Sequence, residues 1–163
     1  FVALVIGGKH RTKMLPADQA IRLCRALQSP VILLGGEEDR QRGDLIREGG
    51  GDHIFNACGF YNINQSASVI AMASRVVTND TGLMHIAAAF SKEIHSLWGN
   101  TIPGFGMYPY MPGHEAANHI WEVKGLPCRP CSKIGFGECP KKHFRCMTDL
   151  DMEELAKRIN AGS

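Results

Sequence analysis

The sequence predicts an α/β fold, a Rossmann-like doubly wound parallel sheet, and three observations carry that expectation. Runs such as Phe1 to Ile6 and Val31 to Leu34 are apolar throughout rather than alternating, as strands covered on both faces are. Glycine pairs close the first two, Gly7-Gly8 and Gly35-Gly36, and helical patterns alternate with the strands through the first hundred residues. At 163 residues the chain suits one domain with a full core.

Val2 to Ile6 reads as the first strand, and Pro16 then stands where a first helical turn tolerates it. Ile21, Leu23, Cys24 and Leu27 supply the apolar stripe of that helix. Val31 to Leu34 is the second strand, followed by a charged, exposed helix over Asp39 to Glu48. His53 to Asn56 forms a short third strand, Ser66 to Ala73 a helix, and Val76 to Thr78 a fourth strand. A helix over Gly82 to Ala89 follows Asn79-Asp80-Thr81 directly, and Glu93 to Trp98 is the fifth strand. Between 99 and 147 glycine and proline break the rhythm, leaving a short strand over His119 to Val123 and a cysteine-rich basic loop at 124–147. A last helix at 151–160 places Met152, Leu155 and Ile159 on one face, with Asp149 or Asp151 near its cap.

With 18 Lys and Arg against 16 Asp and Glu, the net charge of +2 excludes a general nucleic-acid footprint. Apolar residues at 44% and charged residues at 21% exclude disorder, and no apolar run approaches the roughly 20 residues of a membrane span. The opening Phe1-Val-Ala-Leu-Val-Ile has no initiator Met, charged n-region or cleavage site, so it reads as the start of an excised C-terminal piece.

In doubly wound sheets the ligand crevice lies beyond the carboxyl ends of the strands, so chemistry is sought in the segments after them. Gly7 to Pro16 carries Lys9, Arg11 and Lys13 into a helix, an arrangement that forms either an anion site or a solvated basic turn. It lacks the P-loop spacing, and GxGxxG occurs nowhere, which counts against a nicotinamide-dependent domain. After the second strand, Glu37, Glu38 and Asp39 could accept hydrogen bonds from ribose hydroxyls, or merely favour a helix N-terminus. After the fourth, Thr81 and Gly82 put a hydroxyl and bare amides at the mouth of a small-residue helix, which suits a diphosphate. Asp80 could bind sugar hydroxyls there, and His85, one turn in, could meet the same anion.

Asp80-Thr-Gly-Leu-Met-His-Ile-Ala-Ala-Ala89 closely resembles the D-[ST]-G-x-x-H-x-A-A signature of glycosyltransferase family 9, the lipopolysaccharide heptosyltransferases. Thr12-Lys13-Met-Leu-Pro16 resembles the family's T-K-x-x-P element, Gly35-Gly36 its second-strand turn, and Gly99-Asn-Thr-Ile-Pro103 its G-x-T-x-P loop, all in order. The resemblance implies a GT-B architecture of two Rossmann-like domains, with residues 1–163 as the C-terminal, nucleotide-sugar-binding one and the N-terminal acceptor domain absent. It implies that Thr12 and Lys13 bind the donor diphosphate, with Thr81, Gly82, Leu83 and His85 completing that site. Asp80 would contact the transferred sugar, Glu38 or Asp39 the ribose, and Tyr61 and Ile63 the base pocket. The implied reaction is inverting transfer of heptose from ADP-heptose to the lipopolysaccharide core without a cofactor. Lys13 and Asp80 would carry catalysis, with the general base in the acceptor domain. Such an enzyme is expected in the cytoplasm, at the inner face of the inner membrane, and this piece alone is expected to transfer nothing.

Cys128, Cys131, Cys139 and Cys146 supply enough soft ligands for a zinc site, but only the first pair has CxxC spacing, so a metal-free loop of reduced thiols is preferred. The competing reading is a zinc-stabilised module whose basic loop, with Lys124, Arg129, Lys133, Lys141, Lys142 and Arg145, meets an anionic partner.

Overall fold

The computed structural model describes residues 1–162. The expected class is what it shows: a six-stranded, wholly parallel sheet in the order β3-β2-β1-β4-β5-β6. The strands are β1 Val2–Val5, β2 Val31–Leu34, β3 Ile54–Asn56, β4 Arg75–Asn79, β5 Glu93–Trp98 and β6 Asn118–Glu122. The helices are α1 Ala17–Ala26, α2 Arg40–Gly50, α3 Ile63–Met72, α4 Gly82–Ala89, α5 Arg145–Thr148 and α6 Met152–Ala161.

Alternate residues of β1 feed two cores, which is why the strand is apolar at every position. Val2, Leu4 and Ile6 join Leu23 and Cys24 of α1, Ile46 of α2, and Leu155 and Ile159 of α6. Ala3 and Val5 join Val69 and Ile70 of α3 with Met84 and Ala87 of α4 on the other face. Burying a Leu or Ile side chain is worth about 1.5–3 kcal/mol, so both layers are held mainly by apolar burial.

Four of the departures from expectation have local reasons. Helix α3 starts at Ile63, three residues before Ser66, because Asn62 and Gln65 form a reciprocal capping box with bonds of 2.9 and 3.0 Å. Strand β4 gains Arg75, whose buried guanidinium pairs with Glu93 Oε2 at 3.0 Å, and extends to Asn79. Strand β6 sits one residue earlier, in register with β5 from Ile94↔Asn118 to Trp98↔Glu122. The short helix α5 was not expected; Cys146 and Met147 anchor it in the first core.

Candidate functional site

Strand order reverses at β1, since the chain first lays β2 and β3 to one side and then β4, β5 and β6 to the other. Loops leaving β1 and β4 therefore diverge, opening a crevice at the carboxyl ends of the strands. A cleft of about 780 Å³ lies there, lined by Gly7, Gly8, Lys9, His10 and Lys13 after β1 and by Gly35, Gly36, Glu38 and Asp39 after β2. Tyr61, Ile63 and Ser66 form another wall, Asp80, Thr81, Gly82 and Leu83 the one after β4, and Ile134 reaches in from the cysteine-rich segment.

At the centre of the cleft Lys13 Nζ meets Asp80 Oδ2 at 2.7 Å, with side chains 12% and 6% exposed. Thr101 Oγ1 donates to the same Asp80 oxygen at 3.0 Å. Asn79, wholly buried, sets the spacing: its Oδ1 accepts from Leu15 N at 3.2 Å and its Nδ2 donates to the Val5 carbonyl at 3.3 Å. It thereby ties the turn that carries Lys13 to the strand end that carries Asp80. One ammonium donor faces the carboxylate, leaving two for a ligand.

Beside this pair, Thr81 caps α4 in extended conformation without a side-chain capping bond, and its buried Oγ1 has no partner. A Cβ on Gly82 would meet nothing within 4 Å, so the helix mouth is open. The open mouth of α4, the unpartnered Thr81 hydroxyl and the Lys13 ammonium from the loop after β1 thus come together at this end of the cleft.

The carboxylates after β2 separate. Asp39 is buried, accepts from Gly36 N at 3.0 Å and pairs with Arg42 at 3.2 Å, whereas Glu38 is exposed at the cleft wall. Gly7 makes room for Asp39, because a Cβ there would stand 2.6 Å from Asp39 Oδ2. Thr12 is buried away from the cleft, its hydroxyl donating to Phe136 O at 3.0 Å and accepting from Phe136 N at 2.8 Å. His85 is exposed on α4 and does not line the cleft, while Leu83, Tyr61 and Ile63 do. Thr101, His10, Ser66 and Ile134 were not picked out in the sequence, although Thr101 lies in the noted Gly99 to Pro103 loop.

All six cysteines are free thiols; burial pushes Cys146 up to about 11 and Cys24 and Cys58 up to about 12. Among the described residues, Glu93, His95 and His119 bring metal-ligating atoms within 4.8 Å of one another, at the amino ends of β5 and β6. Their hydrogen bonding does not fit a metal. Trp121 Nε1 donates to His95 Nδ1 at 3.1 Å, so the neutral ring carries its proton on Nε2, which faces Glu93 at 3.4 Å.

Compared with known proteins, the sequence model of Glycosyltransferase family 9 (heptosyltransferase) matches residues 2–138. The chain belongs to glycosyltransferase family 9. Among its family 9 relatives, Haemophilus influenzae lipooligosaccharide heptosyltransferase 2 is 38% identical over 134 residues, covering 80% of this chain and 36% of the relative. The fold matches E. coli ADP-heptose lipopolysaccharide heptosyltransferase II with a TM-score of 0.74 at 21% identity, over 98% of this chain and 45% of that one. An E. coli heptosyltransferase solved with ADP matches at a TM-score of 0.72 and 18% identity, over 100% and 44% of the two chains. The chain thus spans less than half the length of these relatives.

Proposed function

We propose that this chain is the donor-binding, C-terminal domain of a GT-B heptosyltransferase and that its cleft takes the diphosphate of ADP-heptose. The observation that carries the reading is the juxtaposition of Lys13 with the open α4 mouth and the unpartnered Thr81 hydroxyl at the point where strand order reverses. Family membership favours a nucleotide-sugar ligand over the zinc-stabilised module, and the structure solved with ADP bears the same fold.

In this reading the ADP leaving group gains negative charge as the anomeric bond breaks, and Lys13 with the α4 amides stabilises that charge in place of a metal. Asp80 holds the ammonium and faces the transferred sugar, while Glu38, exposed, takes the ribose and Asp39 keeps the turn in shape. Tyr61 and Ile63 flank the base. The acceptor is the lipopolysaccharide core, transfer inverts the anomeric centre, and the general base belongs to a preceding acceptor domain. No helix among the described residues is long and apolar enough to cross a membrane, which is compatible with work at the cytoplasmic face of the inner membrane. Calorimetric titration of ADP, UDP and GDP into this chain tests the site: ADP binds, Lys13→Ala binds it at least tenfold more weakly, and binding of none of the three overturns the reading.

A further inference from the structure

We infer that Arg129, in the middle of the cysteine-rich segment, is a positioning residue that holds the Lys13–Asp80 pair in place, making that segment a brace for the diphosphate end of the cleft. The inference rests on the donor reading above. The Arg129 side chain is 6% exposed and its fork joins the loop after β5 to the end of β6: it donates to the carbonyls of Gly99 and Thr101 in the loop, and to the Val123 carbonyl and Glu122 Oε2, each at 2.9 Å, at the strand end. Cys131 N donates to the carbonyl between them, that of Asn100, at 3.0 Å. Three successive carbonyls of the Gly99–Thr101 loop are therefore held by Arg129 and Cys131.

That grip fixes the Thr101 hydroxyl, which donates to the Asp80 oxygen that pairs with Lys13. The same segment reaches the other member of the pair, because Phe136 exchanges three hydrogen bonds with Thr12, the residue before Lys13. Both ends of the ion pair are thus tied to one segment that does not itself supply the ammonium or the carboxylate. A planar guanidinium spreads its donors over three nitrogens and so meets four separate acceptors here, whereas an ammonium offers three donors from a single nitrogen, so lysine does not substitute for Arg129. In catalysis a misplacement of about 1 Å by a distant mutation can cost a hundredfold in rate, and a residue outside the cleft acts on the Lys13–Asp80 pair in the same way, through its position.

Lys13 Nζ, observed by proton–nitrogen NMR in the full chain, reports the brace directly, and ADP titration reports its consequence. In wild type the Lys13 ammonium gives a resolved, slowly exchanging signal. In Arg129→Lys and Arg129→Ala that signal is lost while the far-UV circular dichroism is kept, and the ADP Kd rises at least tenfold. Methylguanidinium restores both in Arg129→Ala. A folded Arg129→Lys that keeps the Lys13 signal and an ADP Kd within twofold of wild type overturns the inference. Should Arg129→Ala fail to fold, Thr101→Val cuts only the last link and must lose the same signal; retention overturns the inference as well. If wild type binds no ADP, the donor reading fails, and the NMR comparison still decides the brace.

Discussion

Replacing Lys13 by methionine keeps most of the side-chain volume and removes the charge, leaving the Asp80 carboxylate, 6% exposed, with Thr101 as its remaining partner. Breaking a buried pair on one side costs about 3–5 kcal/mol. The 12% exposure of Lys13 at the cleft wall lets water reach the site, so the lower end, about 3 kcal/mol, applies. For a chain of this size that is a fall in Tm of roughly 6–12 °C. A hydrogen bond from a charged group contributes about 1.5–3 kcal/mol, so ADP affinity falls roughly 10- to 150-fold. The two effects separate in the double variant Lys13→Met/Asp80→Asn: the neutral amide needs no counter-charge, so much of the stability returns, but the affinity does not. Urea unfolding and calorimetry of the wild type, both single variants and the double variant measure this. Additive stability losses, or a Lys13→Met chain within about 0.5 kcal/mol of wild type, would refute the reasoning, since neither fits a coupled buried pair.

Thr81→Val removes a buried hydroxyl that has no partner, so unfolding free energy stays level or rises by up to about 1 kcal/mol while ADP affinity falls; a matching loss of both would show the hydroxyl to be bonded within the fold. Glu38→Ala weakens ADP binding with Tm unchanged, whereas Asp39→Ala lowers Tm by several degrees through loss of the Gly36 and Arg42 contacts, as thermal melts with and without ADP will distinguish. Burial beside His119 and Arg75 lowers His95 from 6.5 to about 4, against the opposing pull of Glu93. The unfolded chain then binds more protons than the folded one between those values, so stability declines as pH falls from 6.5 towards 4, by up to about 3 kcal/mol. Urea midpoints across that range should flatten in His95→Phe; an unchanged slope would assign the loss to other groups.

The sheet was legible because two-sided burial leaves an unbroken apolar record, and the order of turns after the strands located the cleft. Asn62 and Gln65 also carried a readable capping box that would have placed the start of α3 correctly. The roles of Glu38 and Asp39 were not readable: neighbours of like charge parted only because the Gly36 turn folds one inward onto a backbone amide. Thr101 and Arg129 escaped for a different reason. The bonds that matter to the site join Thr101 to Asp80 across 21 residues and Arg129 to Thr101 across 28, and no periodicity connects such pairs. The partner of the Thr12 hydroxyl illustrates the same limit, because it lies in a loop 124 residues later.

The reversal of strand order at β1 bears on how the site comes into being. Lys13 follows β1 and Asp80 follows β4, the strand paired with β1 on the side away from β2, so the two meet only when β1 and β4 have paired across the crossover. A chain stopped before Arg75 would still carry β1, β2 and β3 with α1, α2 and α3, yet it would lack the wall of the cleft that follows β4, Asp80 included. Ligand affinity is in this sense a readout of long-range closure of the sheet, and a bound anion would act back upon it as a clasp on its central seam.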